Sequence, residues 1–193
     1  MENEKYLFVV SGPSGVGKDT VISFLRGAHP EIGKTVSATT RAPREGEAEG
    51  VNYFYRTEDE FRRMLERDEI VESNYYSGHY YGTLRSEVDR LLAQNTPVVL
   101  NIDIHGAANI KRLYPGATTI FLLPPSWEVL ESRLRGRGSN ETAEEIQKRL
   151  DTAREELSHA GEFDGQVVNH VVEDCAAELY GIMARRAGLA EEH

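Results

Sequence analysis

Residues 12–20 read Gly-Pro-Ser-Gly-Val-Gly-Lys-Asp-Thr, and this stretch decides how the rest of the chain is interpreted. An apolar run at residues 6–10 precedes it, and apolar residues at helical spacing follow it at residues 21–25. The pattern G-x-x-x-x-G-K between a strand and a helix is typical of a phosphate-binding loop. Glycines leave the backbone amides bare, so a phosphate can approach several of them and the positive end of the helix. The stretch therefore predicts a loop that binds nucleotide phosphates.

The end of this loop carries one expected and one unusual residue. Lys18 supplies a mobile positive charge for the β- and γ-phosphates of a nucleotide. The next position usually holds Ser or Thr, whose hydroxyl binds magnesium, and here it holds Asp19. A glycine-rich turn without a ligand is the alternative interpretation. The matching positions, with a strand before and a helix after, argue against it.

Composition narrows the class of protein. A length of 193 residues favours one domain with modest insertions. The net charge of −10, from 22 Lys+Arg and 32 Asp+Glu, argues against a nucleic-acid-binding surface. The negative net charge is still compatible with small anionic substrates, because a local arginine cluster can outweigh the global charge. The single Cys175 cannot form an internal disulfide. The sequence shows neither a signal peptide nor an apolar run of membrane-spanning length, so we expect a cytoplasmic protein without a membrane partner.

Predicted strands and helices alternate along most of the chain, as in a parallel α/β sheet. Strands are predicted at residues 6–11, 97–103, 117–123 and 166–172. The intervening residues 35–83 are rich in charge, glycine and tyrosine. We predict an α/β, three-layer P-loop fold with a parallel sheet flanked by helices, a small mixed α+β insertion and a helical lid. The predicted boundaries are 1–34, 84–134 and 153–193 for the core, 35–83 for the insertion and 135–152 for the lid.

The insertion contains cationic and aromatic residues that suit a phosphate. Arg41 and Arg44 lie three apart in a loop, and Tyr53 and Tyr81 follow. Two guanidinium forks and two phenols can together hold a terminal phosphate. A solvated charged loop is the alternative. Four tyrosines fall within residues 75–81, and we expect them to form a wall that presents rings and hydroxyls together.

A second cationic group follows the third predicted strand. Arg133, Arg135 and Arg137 lie beside glycines at a helix end, and Arg149 comes farther on. Cations near glycines fit a mobile lid that closes over phosphates and stabilises transition-state charge. Ordinary cationic capping of a helix C-terminus is the alternative for any one of them.

Carboxylates at three places are candidates for reading a substrate. Asp103 follows a predicted strand, and ligands of open α/β sheets gather beyond the carboxyl ends of strands. Glu47 and Glu72 lie in the insertion. A carboxylate that accepts two N–H groups suits the N1/N2 edge of guanine. An exposed acidic residue without a specific role is the alternative for each.

The chain resembles the guanylate kinases. One stretch is similar to the GMP-binding segment of that family: Ser37-x-Thr39-Thr40-Arg41-x-x-Arg44-x-Gly46-Glu47-x-x-Gly50-x-x-Tyr53. Further matches follow in order at Tyr80-Tyr81-Gly82-Thr83, Asn101-Ile-Asp103, Pro124-Pro-Ser126, Arg133-Leu-x-x-Arg137-Gly138 and Val168-Asn169. The resemblance extends from about residue 7 to residue 183. It implies transfer of a phosphoryl group from ATP to GMP, and plausibly to dGMP, with Mg²⁺. ATP and GMP are the implied partners, and the choice between monomer and homo-oligomer is left open.

The resemblance also implies roles for individual residues. The guanine-reading residues would be Ser37, Glu72, Thr83 and Asp103. The GMP phosphate would be held by Arg41, Arg44, Tyr53 and Tyr81, in a site ordered by Glu47. The catalytic cations would be Lys18, Arg133, Arg137 and Arg149. ATP would contact Gly12, Pro13, Ser14, Gly15, Val16, Gly17, Lys18, Asp19 and Thr20, with Asn169 near the adenine.

Two positions depart from the family pattern, and both concern magnesium. Thr20 or water could complete the coordination in place of the usual hydroxyl, or Asp19 could bind the cation directly or through water. Asn101 stands where the family usually has an aspartate, which removes a negative charge near the metal. Our hypothesis is that Asp19 partly offsets this loss.

Two other functions are compatible with parts of the pattern. A ribose bisphosphate kinase of related fold can also have Lys-Asp at the end of this loop. The substrate of such a kinase has no guanine edge, so the guanine-reading residues argue against this alternative. A non-catalytic guanylate-kinase-like module that binds phosphopeptides is the second alternative, and such modules have usually lost the loop residues that this chain keeps.

Overall fold

A computed structural model describes residues 2–136 and 142–189, which form eight strands and seven α-helices. The strands are β1 Leu7–Ser11, β2 Ser37–Thr39, β3 Phe54–Tyr55, β4 Ile70–Tyr76, β5 His79–Leu84, β6 Val98–Asn101, β7 Thr118–Leu123 and β8 Gly165–Val168. The helices are α1 Lys18–Ala28, α2 Glu58–Glu66, α3 Arg85–Ala93, α4 Ile104–Leu113, α5 Trp127–Gly136, α6 Ala143–Ser158 and α7 Val172–Ala187. Short 3-10 segments lie at Glu2–Tyr6 and Ala160–Glu162.

The main sheet is parallel, and its strands lie in the order β6-β1-β7-β8. All five residues of β1 are buried, because alternate side chains enter opposite helix layers. Phe8 and Val10 belong to a core shared with α1, α5, α6 and α7, whereas Leu7 and Val9 belong to one shared with α3 and α4. The predicted parallel sheet flanked by helices is confirmed.

Two predicted strands end earlier than expected. The strand predicted at 97–103 ends at Asn101, because Asp103 is the N-cap of α4 and its Oδ1 accepts a hydrogen bond from the amide of Gly106 (2.7 Å). The strand predicted at 166–172 ends at Val168, and α7 begins at Val172. Asp103 therefore starts a helix rather than closing a strand.

A second, smaller sheet lies within residues 37–84 and has the order β3-β2-β5-β4. Helix α2 covers one face of it, and Phe61 packs there with Ala38, Ile70 and Leu84. Helix α2 begins with a capping box: the hydroxyl of Thr57 accepts from the amide of Glu60, whose side chain accepts from the amide of Thr57.

The expected wall of four tyrosines is wrong. Tyr80 stacks on Phe61 in the small core, with ring centroids 5.4 Å apart, and Tyr75 packs against Tyr80. Tyr76 is 72% exposed beside the hairpin turn. Because successive strand residues point to opposite faces, Tyr75 and Tyr80 lie on the face toward α2, whereas Tyr76 and Tyr81 lie on the face of Thr83.

The boundaries proposed for core, insertion and lid stay predictions. The small sheet occupies residues 37–84, so it begins after the boundary at 34/35, and its last residue, Leu84, lies one position beyond the boundary at 83/84. The segment proposed as a lid, 135–152, includes residues 137–141, which lie outside the described part of the chain. In that described part, no helix has both the length and the apolar character needed to cross a bilayer.

Replacing Gly82 by Ala tests the contact between the small sheet and α2. The added Cβ would lie 2.7 Å from Cγ2 of Ile70, 2.9 Å from Cζ of Phe61 and 3.0 Å from the carbonyl oxygen of Glu72. We expect urea unfolding to show a loss of about 2 kcal/mol. The matched control is Gly27→Ala in α1, where the added Cβ meets no atom within 4 Å and about 0.5–1 kcal/mol should be gained. Equal stability of the Gly82→Ala variant and the wild type would contradict the close packing.

Candidate active site

The phosphate loop joins the end of β1 to the start of α1. Gly12 passes so close to β7 that a Cβ would lie 2.6 Å from the carbonyl oxygen of Leu122. Gly17 is the N-cap of α1, with φ of 100°. No side chain caps this helix, so the backbone amides of its first turn are available to a ligand. The loop encloses a cavity of about 220 Å³ lined by Pro13, Ser14, Gly15, Gly17, Lys18, Asp19, Thr20 and Glu156. This geometry suits an anion.

Two side chains support the loop from behind. The amide nitrogen of Asn169, a residue only 3% exposed, donates to the carbonyl of Val16 (2.7 Å). Nη1 of Arg133 donates to the same carbonyl (3.2 Å). Asn169 was predicted to lie near adenine, and its contact in this structure is with the loop instead. Its role toward adenine stays a prediction.

Lys18 is folded onto the loop in this structure. Its Nζ donates to the carbonyl of Gly12 and, at 3.4 Å, to that of Pro13. Burial lowers the pKa of Lys18, and the nearby carboxylates of Glu156, Asp19 and Asp103 oppose that shift. Three acidic groups therefore lie near one partly buried ammonium group.

Glu156 is a site residue that the sequence analysis missed. Its Oε2 accepts a hydrogen bond from the amide of Ser14 (3.0 Å) across a separation of 142 residues. Glu156 lies on α6, beyond the segment 135–152 that was predicted as a lid. Because many of its neighbours are also charged, no local signal distinguished it.

The two residues that depart from the family pattern, Asp19 and Asn101, are in contact. Nδ2 of Asn101, at the end of β6, donates to Oδ1 of Asp19 in the first turn of α1 (2.6 Å). Thr20 is exposed next to Asp19. Among residues 2–136 and 142–189, no group of three His, Cys, Asp or Glu side chains could hold a metal ion by itself.

Strand pairing aligns the predicted guanine-reading residues. Ser37 of β2 and Glu72 of β4 both oppose Thr83 of β5, so the three residues form one row across the small sheet. Directly opposed residues in antiparallel strands share a face. The adjacent row on this face contains Thr39, Tyr81 and Asn74. The structure thus brings together Ser37, Glu72, Thr83 and Tyr81.

Glu72 is held in a mostly buried position. The hydroxyl of Thr83 donates to its Oε1 (2.9 Å). Burial raises the pKa of Glu72, and the negative charge of Asp103 adds to that rise, while the hydrogen bond from Thr83 opposes it. Because Asp103 also acts on Lys18, the carboxylate of Asp103 links the surroundings of Glu72 to the phosphate loop.

Glu47 organises the cationic part of the small sheet. Its carboxylate accepts two hydrogen bonds from Nη2 of Arg41 (2.8 and 2.9 Å) and one from the amide of Arg44 (2.8 Å). The hydroxyl of Tyr55 also donates to it (2.9 Å). These donors, Arg41 above all, lower the pKa of Glu47 to about 2. The carboxylate of Glu47 is therefore ionised at neutral pH.

Aromatic rings complete this cluster. The guanidinium of Arg41 lies 5.5 Å from the ring centroid of Tyr53, whose ring is 5.9 Å from that of Tyr81. The side chain of Arg44 is exposed beside them. Tyr55 was missed in the sequence, although its spacing of two from Tyr53 along an extended segment was an available signal.

The remaining predicted cations lie near the loop or outside the described residues. Arg149 lines a cavity of about 400 Å³ together with Ser14, Glu145, Lys148 and Thr152. Arg135 pairs with Glu131 on its own helix (2.6 Å). Arg137 lies outside the described residues.

A glycine loop between a parallel strand and a helix, ending in Lys18, defines a nucleotide-binding protein of the P-loop class. A family model described as "Guanylate kinase" matches residues 4–186. The guanylate kinase of Synechococcus sp. (strain JA-3-3Ab) is 48% identical over 177 residues, which cover 92% of this chain and 81% of that protein. The guanylate kinase of Streptomyces kasugaensis is 46% identical over 182 residues, which cover 94% of this chain and 88% of that protein.

A solved structure agrees with these relatives. The crystal structure of guanylate kinase from Anaplasma phagocytophilum is 31% identical, with a TM-score of 0.63, and the match covers 96% of this chain and 86% of that one. The chain belongs to the guanylate kinase family, which consists of ATP-dependent nucleoside monophosphate kinases. The predicted family is confirmed, and the ribose bisphosphate kinase and phosphopeptide-binding alternatives do not fit it.

Replacing Glu72 by Gln should stabilise the protein at neutral pH. A carboxyl group whose pKa is raised by folding contributes stability at low pH, and this contribution is lost as pH rises through the raised pKa. Gln cannot ionise, so thermal unfolding should show a higher Tm than wild type at pH 7 and a difference that shrinks toward pH 4. The control is Glu66→Gln, at an exposed residue on α2. A pH-independent difference, or the same difference in the control, would contradict the role of burial.

Proposed function

We propose that this chain transfers the γ-phosphoryl group of ATP to GMP, giving ADP and GDP, and that dGMP also serves as acceptor. The observation that supports this most is the row Ser37, Thr83 and Glu72 on one face of the small sheet. Asp103 lies close enough to act electrostatically on both Glu72 of that row and Lys18 of the phosphate loop. A base-reading row and an anion-binding loop at one site are what a transfer between two nucleotides requires.

Glu72 is the residue proposed to select guanine. Its ionised carboxylate is an acceptor only, and guanine presents two N–H donors at its N1/N2 edge. Oε1 already accepts from the hydroxyl of Thr83, which orients the group and leaves Oε2 for the base. Ser37 and Thr83 offer hydroxyls in the same row, and Asp103 supplies a further acceptor. Adenine has an acceptor at N1, so it would face the carboxylate with like polarity.

The GMP phosphate is proposed to lie against Arg41, Arg44, Tyr53 and Tyr81. Glu47 fixes the guanidinium of Arg41 through two hydrogen bonds, so that group loses little freedom when a phosphate binds. The exposed side chain of Arg44 is the one that must reorient. In this proposal Glu47 acts as a positioning residue for the phosphate site.

Phosphoryl transfer in this site needs alignment and charge rather than a strong base. The acceptor phosphate is already an anion, so no proton has to be removed before attack. The loop amides and Lys18 hold the ATP phosphates, while Arg133, Arg137 and Arg149 are proposed to neutralise the charge of the group in transfer. Closure of residues 135–152 as a lid would exclude water and so limit hydrolysis of ATP.

Asp19 and Thr20 fit a magnesium ion that is held mainly by ATP. Carboxylate and hydroxyl oxygens are the hard donors that Mg²⁺ prefers, and this ion commonly takes only one or two protein ligands beside phosphates and water. Asn101 fixes Oδ1 of Asp19 and leaves Oδ2 for the ion or its water. When bound, Mg²⁺ would neutralise charge across the ATP phosphates.

We also propose a cytoplasmic location.

An ADP-release assay across GMP, dGMP, AMP, UMP and CMP tests the substrate. We expect activity with GMP and dGMP, and a loss in kcat/KM for GMP of about 100-fold in Glu72→Gln, because the amide presents a donor to the guanine edge. The exposed-site control, Glu66→Gln, should retain wild-type kinetics. A preference for AMP, UMP or CMP would contradict the guanine assignment.

Exchanging the two unusual residues tests the magnesium proposal. Asp19→Ser should weaken Mn²⁺ binding to the complex with ATP, followed by electron paramagnetic resonance, by about tenfold. The double variant Asp19→Ser/Asn101→Asp returns one carboxylate to the strand end and should recover most of that loss. Unchanged Mn²⁺ binding and unchanged Mg²⁺ dependence in Asp19→Ser would show that the hypothesis is wrong.

A further inference from the structure

The phosphate loop is already in contact with an anion that belongs to the chain. Oε2 of Glu156 accepts from the amide of Ser14 (3.0 Å), and Glu156 lines the loop cavity of about 220 Å³. Among the charges that favour the protonated form of Lys18, that of Glu156 acts most strongly. We propose that Glu156 is an internal competitor for the ATP phosphates, which must displace its carboxylate to bind. This inference rests on the proposed function, since it concerns the same loop.

Competition follows from the chemistry of the contact. A carboxylate oxygen and a phosphate oxygen are both anionic acceptors, and one amide hydrogen cannot serve both at full strength. A polyphosphate that entered while Glu156 remained in place would bring several negative charges next to the carboxylate. The loop therefore exchanges one anion for another when ATP binds.

The helix that carries Glu156 also carries a cation that can offset the cost of this exchange. Arg149 lies seven residues earlier on α6, two turns away on the same side of the helix, and both residues line cavities with Ser14. A polyphosphate can contact the loop and the Arg149 region together, whereas a single phosphate reaches only one. A polyphosphate therefore offsets the cost of displacing Glu156 better than orthophosphate does, and the displacement releases the end of α6 from the loop.

Calorimetric binding of tripolyphosphate and of ATP, both in EDTA at fixed ionic strength, tests this inference. Glu156→Gln keeps the shape of the side chain and removes its charge, so both ligands should bind about tenfold more tightly than to wild type. Orthophosphate should gain by a similar factor if it takes the amide of Ser14, because the cost of displacing the carboxylate is the same for each such anion. The matched control is Glu155→Gln, at the exposed neighbour on α6, which should bind like wild type. The KM for GMP should stay unchanged in both variants.

Several outcomes would overturn the inference. Equal affinities in Glu156→Gln and Glu155→Gln would show that only net charge matters. Weaker binding of both ligands to Glu156→Gln would mean that the carboxylate supports the loop instead of competing. In the wild type, hydrogen exchange near the C-terminal end of α6 should accelerate when tripolyphosphate binds, and unchanged exchange there would contradict the release. Failure of the wild type to bind ATP would contradict the proposed function, whereas the tripolyphosphate measurements would still test Glu156.

Discussion

The close approach of Gly12 to the carbonyl of Leu122 is the constraint on which the site depends. It lets the chain leave β1 beside β7, turn back, and enter α1 with its first amides uncapped by side chains. The carbonyl of Val16, on the far side of the turn, is tied down by Asn169 and Arg133. These contacts hold the amides in place before any ligand is present, and such preorganisation is the main way in which an enzyme stabilises phosphoryl transfer.

An acidic protein can hold polyanions because its cations are arranged locally. Several groups proposed to bind anions have a carboxylate of the protein as neighbour: Glu47 for Arg41, and Glu156 with Asp19 for the loop and Lys18. Glu47 and Glu156 would affect binding differently. Glu47 holds the guanidinium of Arg41 in place and would assist the binding of a phosphate, while Glu156 occupies the amide of Ser14 that a phosphate would use.

The sequence was sufficient wherever the determining contacts are local. The loop between β1 and α1 depends on residues a few positions apart, and it was predicted. The tyrosine wall failed because strand alternation separates Tyr80 from Tyr81, and hydrophobicity does not distinguish two tyrosines. Glu156 was missed because its contact with Ser14 spans 142 residues. Asn169 was identified as a candidate site residue by resemblance, but its side-chain amide donates to the carbonyl of Val16. That contact depends on how β8 packs beside the loop, which the local sequence does not specify.

Glu47 and Glu72 show how one small sheet uses two carboxylates in opposite ways. Hydrogen bonds from Arg41, Arg44 and Tyr55 make Glu47 a permanent anion whose function is to position its donors. Glu72 has Thr83 as its hydrogen-bond donor, and burial disfavours its ionised form. In the proposed site, guanine would supply further donors to the ionised form, so binding of the correct base would offset part of the cost of burying that charge. A base without those donors would leave that cost in place, and selectivity would then arise from this cost as well as from the new hydrogen bonds.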